Sequence, residues 1–118
     1  MKTRAAPRLE SAILRDIRAA LNTATDAGGR LRCRVFRNSV GYDEGRQVRY
    51  GQPGSPDLWG VLADGTAFAI EVKSETGRMR PEQQAWWVAA RKWGVQGGVA
   101  RSVDEAMELL AVAERRST

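Results

Sequence analysis

Apolar residues recur at helical spacing from Leu9 through Ile13, Leu14, Ile17 and Leu21, which predicts an amphipathic helix that stops before the breaker 26-DAGG-29. Glu10 falls on the border of that stripe. Residues 31-LRCRVFR-37 switch to alternation and read as a strand with Leu31, Cys33 and Val35 on one face and arginines on the other. The stretch 38–56 mixes glycines and prolines with polar groups and lacks a long period. It reads as a long irregular loop with a short strand around Val48, and a loop of that length in a compact domain usually has a function. A β-hairpin follows, 57-DLWGVL-62 and 66-TAFAIEVK-73, joined across 64-DG-65. In its second strand Phe68, Ile70 and Val72 share one face, while Ala69, Glu71 and Lys73 share a polar one. Pro81 opens a helix that runs to about Trp93 and is stopped by Gly94. A last short strand lies within 95–102, and Ser102 with Glu105 forms a capping box for a final helix to about Glu114. The expected order is helix, three strands, helix, strand, helix.

Length and composition narrow this picture. The 118 residues suit one hydrophobic core, so 9–118 is expected to be a single domain, preceded by a basic arm at 1–8. The longest apolar stretches, such as 85-AWWVAA-90, fall far short of the roughly 20 residues that cross a bilayer, and no apolar segment follows the basic N-terminus. The expectation is a cytoplasmic protein, neither exported nor membrane-bound. The single cysteine, Cys33, excludes an internal disulfide. The absence of histidine removes the commonest zinc ligand and the usual general base, and with them zinc hydrolases, zinc deaminases and histidine-based nucleases. A net charge of +5, carried almost wholly by arginine, suits a polyanionic partner, because the guanidinium fork pairs bidentately with phosphate.

The chemistry concentrates in 54–74. Asp57 starts one hairpin strand and Glu71 ends its partner, so antiparallel pairing brings two carboxylates together. Hard oxygen ligands of this kind suit Mg²⁺ or Mn²⁺, which bridge to phosphate oxygens. Lys73 falls beside Glu71, where its charge can stabilise developing negative charge or orient an attacking water. A metal that acidifies water makes histidine unnecessary. Glu71 and Lys73 taken alone more readily describe a solvated ion pair worth about 0–1 kcal/mol. Pro56-Asp57, one hairpin earlier, is what favours a site.

The combination of G-S-P-D at 54–57, I-E-V-K at 70–73, a glutamine-bearing helix and a leading helical glutamate resembles the PD-(D/E)xK nuclease superfamily. Within it the chain is most similar to the VRR-NUC (virus-type replication-repair nuclease) family in its small standalone form from phages and bacteria, over about Leu9 to Ala106. The resemblance implies an α/β fold with a restriction-endonuclease-like core, a central mixed sheet flanked by helices. It implies Asp57 and Glu71 as ligands of Mg²⁺ or Mn²⁺, helped by the backbone carbonyl of Val72, with Lys73 as the catalytic lysine. Glu10 matches an acidic residue that contacts metal through water or supports a second ion. Gln83 or Gln84 matches the glutamine of the following helix, with Gln83 preferred for lying two residues after Pro81. Standalone members are similar to structure-selective resolvases of Holliday junctions and tend to be homodimers, while domains fused to larger repair enzymes act on flaps. The implied activity is a DNA endonuclease of replication, repair or recombination.

Arg34 and Arg37 on the strand, Arg46 and Arg49 in the long loop, and Arg78 and Arg80 after the catalytic strand are candidate phosphate contacts, with a solvated basic face as the alternative. On the second helix Trp86 and Trp93 fall on one face with Ala89 and Ala90, which suggests core packing or a partner interface. Strict alternation sets Trp59 on the same side as Asp57, an awkward pairing of a large apolar ring with a metal ligand that a bulge near Gly60 would relieve. Two rival functions remain open, a DNA-binding or assembly module without catalysis and a protein-interaction domain built on the tryptophan helix.

Overall fold

The first apolar stripe forms helix α1, Glu10–Thr23, which buries Ile13, Leu14, Ile17 and Leu21. The structure, a computed structural model, describes residues 9–117 except for the side chains of Tyr42, Arg49 and Tyr50, so the expected arm at 1–8 lies outside the described residues. Leu9 does not join the stripe. It is the N-cap, extended rather than helical, and is 74% exposed. A residue before the first turn has left the helical phase and cannot share its face.

Strand β1 covers Cys33–Arg37, with Cys33 and Val35 inward. Leu31 falls outside it and stays exposed, making only an isolated bridge with Thr25. There the chain is still turning out of α1, held by Asp26, whose carboxylate accepts from the N–H groups of Gly28 and Arg30. Asn22 clasps β1 to α1: its Nδ2 donates to the Val35 carbonyl at 2.9 Å and its Oδ1 accepts from the Val35 N–H at 2.8 Å. The Cys33 thiol is buried and donates to the Leu21 carbonyl at 3.3 Å. Burial pushes its pKa up to about 11.

The segment expected to be an irregular loop holds two strands, β2 (Gly41–Asp43) and β3 (Val48–Tyr50), paired antiparallel as a hairpin. Three residues are too few for alternation to show, so the pattern hid it. Strands β4 (Leu58–Leu62) and β5 (Ala67–Val72) form the expected hairpin, with the Asp64 carboxylate accepting from the Thr66 N–H in its turn. Helix α2 spans Pro81–Lys92, and Gly94 at φ +86° ends it as expected. Strand β6 (Gln96–Ala100) leads to α3, Val103–Arg116. Ser102 caps α3 by accepting from the Glu105 N–H at 3.1 Å, while the Glu105 carboxylate returns one residue earlier than a capping box requires, to the Arg101 N–H.

The main sheet runs β1-β4-β5-β6, antiparallel except for the parallel β5–β6 pair that the α2 crossover makes possible. Helices α1 and α3 pack on the face carrying Cys33, Val35, Leu58, Phe68, Ile70 and Val72. Helix α2 covers the other face, over Ala69. The expected mixed sheet flanked by helices is present. The alternative of a solvated Glu71–Lys73 pair does not hold: both side chains are buried, because this is a central strand with helices on both sides. The inward positions of α2 are Gln83, Trp87 and Ala90, so Trp87 is the core tryptophan. Trp86 is half-buried and Trp93 is 87% exposed beyond the last turn; both line a surface groove with Trp59. No helix among the described residues is long and apolar enough to cross a membrane.

Candidate active site

The register Leu58↔Ile70, carried one residue further, sets Asp57 opposite Glu71 at the open end of the β4–β5 pair. Pairing runs unbroken from Leu58 to Val61, so no bulge intervenes and Trp59 does share a face with Asp57. The awkwardness disappears because that face lies against α2. Trp59 meets Trp86 edge-on at 5.1 Å, and the acid falls one step beyond this packing, at the mouth of a cleft.

Glu71 is 2% exposed. Its Oε1 accepts from Gln83 Nε2 at 3.0 Å and lies 3.7 Å from Lys73 Nζ. Its Oε2 is buried with no hydrogen-bond partner among the described residues. Burial raises the Glu71 pKa to about 8; the Asp57 carboxylate adds to the rise, Lys73 opposes it, and Glu10 adds least. Asp57 is held differently, its Oδ2 accepting from the Val72 N–H at 2.8 Å. Lys73 is 7% exposed, and its own N–H donates across to the Ala100 carbonyl on β6.

Gln83 is 5% exposed and its amide can face only one way. Its Oε1 accepts from the Arg80 N–H at 2.9 Å, tying off a free donor at the start of α2, which leaves the amide protons for Glu71. Arginine has no acceptor, so only this half of a capping box forms. Gln84 is exposed and reaches only the Met79 carbonyl. Gln83 is therefore the glutamine that meets the acid. Gly54 lets the preceding loop approach: at φ +81° it lies so close to the first turn of α2 that a Cβ would come within 2.2 Å of the Glu82 carbonyl oxygen.

The cleft over these groups has a volume of about 250 Å³, and Arg37, Asn38, Ser55 and Arg80 line it with Asp57, Glu71 and Gln83. A larger cavity, about 400 Å³ between α1 and the start of α3, contains none of these acids. Of the arginines singled out, Arg37 and Arg80 reach the cleft. Arg34 lines a separate depression with Leu31 and Val61, Arg46 sits at the β2–β3 turn beside Asp43 at 3.7 Å, and Arg78 is exposed in the loop after β5. The Arg49 side chain lies outside the described residues. Glu10 is exposed on the first turn of α1 and is felt at Glu71 only as a charge. Among the described residues no three His, Cys, Asp or Glu side chains are grouped to hold a metal ion. Asn38 and Ser55 were not foreseen. The only signal for Asn38 is that it is the first polar residue after the alternating run of β1.

A family model described as the VRR-NUC domain matches residues 9–104. The chain belongs to the VRR-NUC family. That match spans every strand and reaches from α1 to the first turn of α3. A solved VRR-NUC domain is similar in fold, with a TM-score of 0.59, 23% identity and coverage of 86% of this chain and 94% of its own. No curated protein matches the chain. As a VRR-NUC member it is a nuclease-family domain, and its helix-flanked mixed sheet agrees with the PD-(D/E)xK-like architecture.

Proposed function

We propose that the chain is a Mg²⁺- or Mn²⁺-dependent deoxyribonuclease that hydrolyses phosphodiester bonds in the Asp57–Glu71 cleft. The observation that carries this reading is the state of Glu71, buried opposite a second carboxylate with one oxygen held by Gln83 and the other without a hydrogen-bond partner among the described residues. Two acids set opposite each other share the single ammonium of Lys73, and their hard oxygens suit a divalent cation besides it. Mg²⁺ is usually held by one or two carboxylates, with water and substrate phosphate completing its shell, so two protein acids are enough. Asp57, Glu71 and the backbone carbonyl of Val72 are the groups that would hold it. Since the Lys73 N–H turns to β6, the Val72 N–H and carbonyl face the opposite way, past the end of β4. When bound, such an ion acidifies water and neutralises charge on the phosphodiester.

The chain's own residues supply the rest. Gln83 fixes the Glu71 carboxyl so that Oε2 remains free for a ligand. Lys73 sets a fixed positive charge beside the reacting phosphate, strengthened by burial. Arg37 and Arg80 at the cleft suit the flanking phosphates, and Glu10 adds negative charge from α1 that favours a second cation or its water. The net charge of +5 agrees with a DNA substrate. Structure-selective cutting of branched DNA, a Holliday junction or a flap, extends the same reading. Symmetric cutting of a junction requires two sites and hence a homodimer.

The test incubates labelled four-way junction, flap and linear duplex with wild type and Glu71→Ala, each with Mg²⁺, Mn²⁺ or EDTA. Metal-dependent cutting by wild type, reduced at least about 100-fold in Glu71→Ala, is expected. Binding to all three DNAs in EDTA with no cutting in either metal would replace this reading with a non-catalytic DNA-binding module.

A further inference from the structure

Asp57 stands where β4 begins, immediately after a proline that has no N–H to anchor it, yet its carboxylate must face Glu71 across the hairpin. Three of the hydrogen bonds that hold this turn come from one residue. The Asn38 N–H donates to the Asp57 carbonyl at 2.7 Å, adding a rung to the β1–β4 ladder beyond Arg37↔Leu58. Asn38 Nδ2 donates to the Pro56 carbonyl at 2.9 Å and to Ser55 Oγ at 2.7 Å. Ser55 Oγ in turn donates to the Gln52 carbonyl at 2.6 Å. The peptide groups on both sides of the Asp57 Cα are thus tied to one asparagine, while the Val72 N–H holds the carboxylate itself.

Asn38 lines the cleft without donating to either carboxylate. We infer that Asn38 is a positioning residue, which fixes the backbone of Pro56 and Asp57 so that the Asp57 carboxylate is presented with Glu71 to a divalent cation. This rests on the metal-dependent reading above. Groups that orient metal ligands typically change affinity 10–100-fold when removed, and here the orientation acts on main chain rather than on a ligand's own side chain. Only an amide donor of this length joins both acceptors at once. Alanine supplies no side-chain donor and keeps only the main-chain bond to Asp57, and aspartate keeps the shape while turning both side-chain donors into acceptors.

A merely structural asparagine would behave like Asn22, whose side chain also makes two hydrogen bonds, both with Val35 of β1, but on the α1 side. The experiment is Mn²⁺ titration by calorimetry of the full chain as wild type, Asn38→Ala, Asn38→Asp, Asn22→Ala and Glu71→Ala, with thermal melts of each without metal. Asn38→Ala and Asn22→Ala are expected to lower the Tm comparably. Of the asparagine variants only those at Asn38 should weaken Mn²⁺ binding, by about 10-fold or more, while Glu71→Ala should lose it. Mn²⁺ affinity within twofold of wild type in both Asn38 variants, or an equal loss in Asn22→Ala, would overturn the assignment. If Asn38→Ala does not fold, Asn38→Ser, which retains one donor, replaces it under the same criterion. Failure of wild type itself to bind Mn²⁺, or equal binding by Glu71→Ala, would instead remove the metal site and this inference with it.

Discussion

At the scale of single residues, the molecule keeps a carboxyl group where water cannot solvate its charge. Below about pH 4.5 Glu71 is protonated in the folded and the unfolded chain alike. Between there and about pH 8 only the folded chain retains the proton, so raising the pH favours the unfolded state and stability is lost towards pH 8. The metal-free protein is therefore expected to melt at a lower temperature at pH 8 than at pH 5, and Glu71→Gln should flatten that dependence. A wild-type profile parallel to that of Glu71→Gln in scanning calorimetry would contradict it. The identities of Asp57, Glu71 and Lys73 stood out in the sequence because three chemical types fell at meaningful spacing. The burial of Glu71 and Lys73 did not. Alternation assigns a residue to a face but does not say whether a helix covers that face. Neither could spacing distinguish Gln83 from Gln84, since the choice turns on which amide meets both the Arg80 N–H and the acid.

Elements were legible in proportion to their length. The three helices and the β4–β5 hairpin carry enough turns, caps or alternating positions to be read, whereas β2 and β3 are too short to carry a period. The loop joining β3 to β4 shows how an element boundary shapes the site. Gly54 and Gly65 both adopt positive φ, +81° and +89°, but only Gly54 is pressed against another element, the first turn of α2. Gly65→Ala should thus incur conformational strain alone, about 1 kcal/mol, while Gly54→Ala should add a clash with backbone that cannot move aside. Urea unfolding is expected to show the larger loss for Gly54→Ala, by at least about 1 kcal/mol. Equal losses would mean that the loop yields and is not clamped to α2.

Taken whole, the molecule is a basic body with the Asp57–Glu71 cleft at one end of its sheet, and its arginines are not equivalent. Arg37 and Arg80 open on the cleft, whereas Arg46 lies at the β2–β3 turn beside Asp43. Each phosphate contact contributes about 0.9 to the slope of log affinity against log salt on duplex DNA. Arg37→Ala and Arg80→Ala should each lower that slope by about one, and Arg46→Ala should leave it nearly unchanged, as read from binding isotherms in EDTA. Equal changes in all three would indicate diffuse attraction and not a defined path for the backbone. This spatial sorting was invisible in the sequence, because sheet order β1-β4-β5-β6, not chain order, decides which arginines meet the acids. The same layering gives the lone thiol a use. Cys33 is sealed between α1 and the sheet, protonated at neutral pH, so a disulfide reagent can attack it only while α1 is lifted away. The native chain thus carries its own clock for that opening. The speed at which colour develops with a chromogenic thiol reagent should count excursions of α1, slowing if a bound cation stiffens the domain and keeping pace if the cleft and this seam breathe independently.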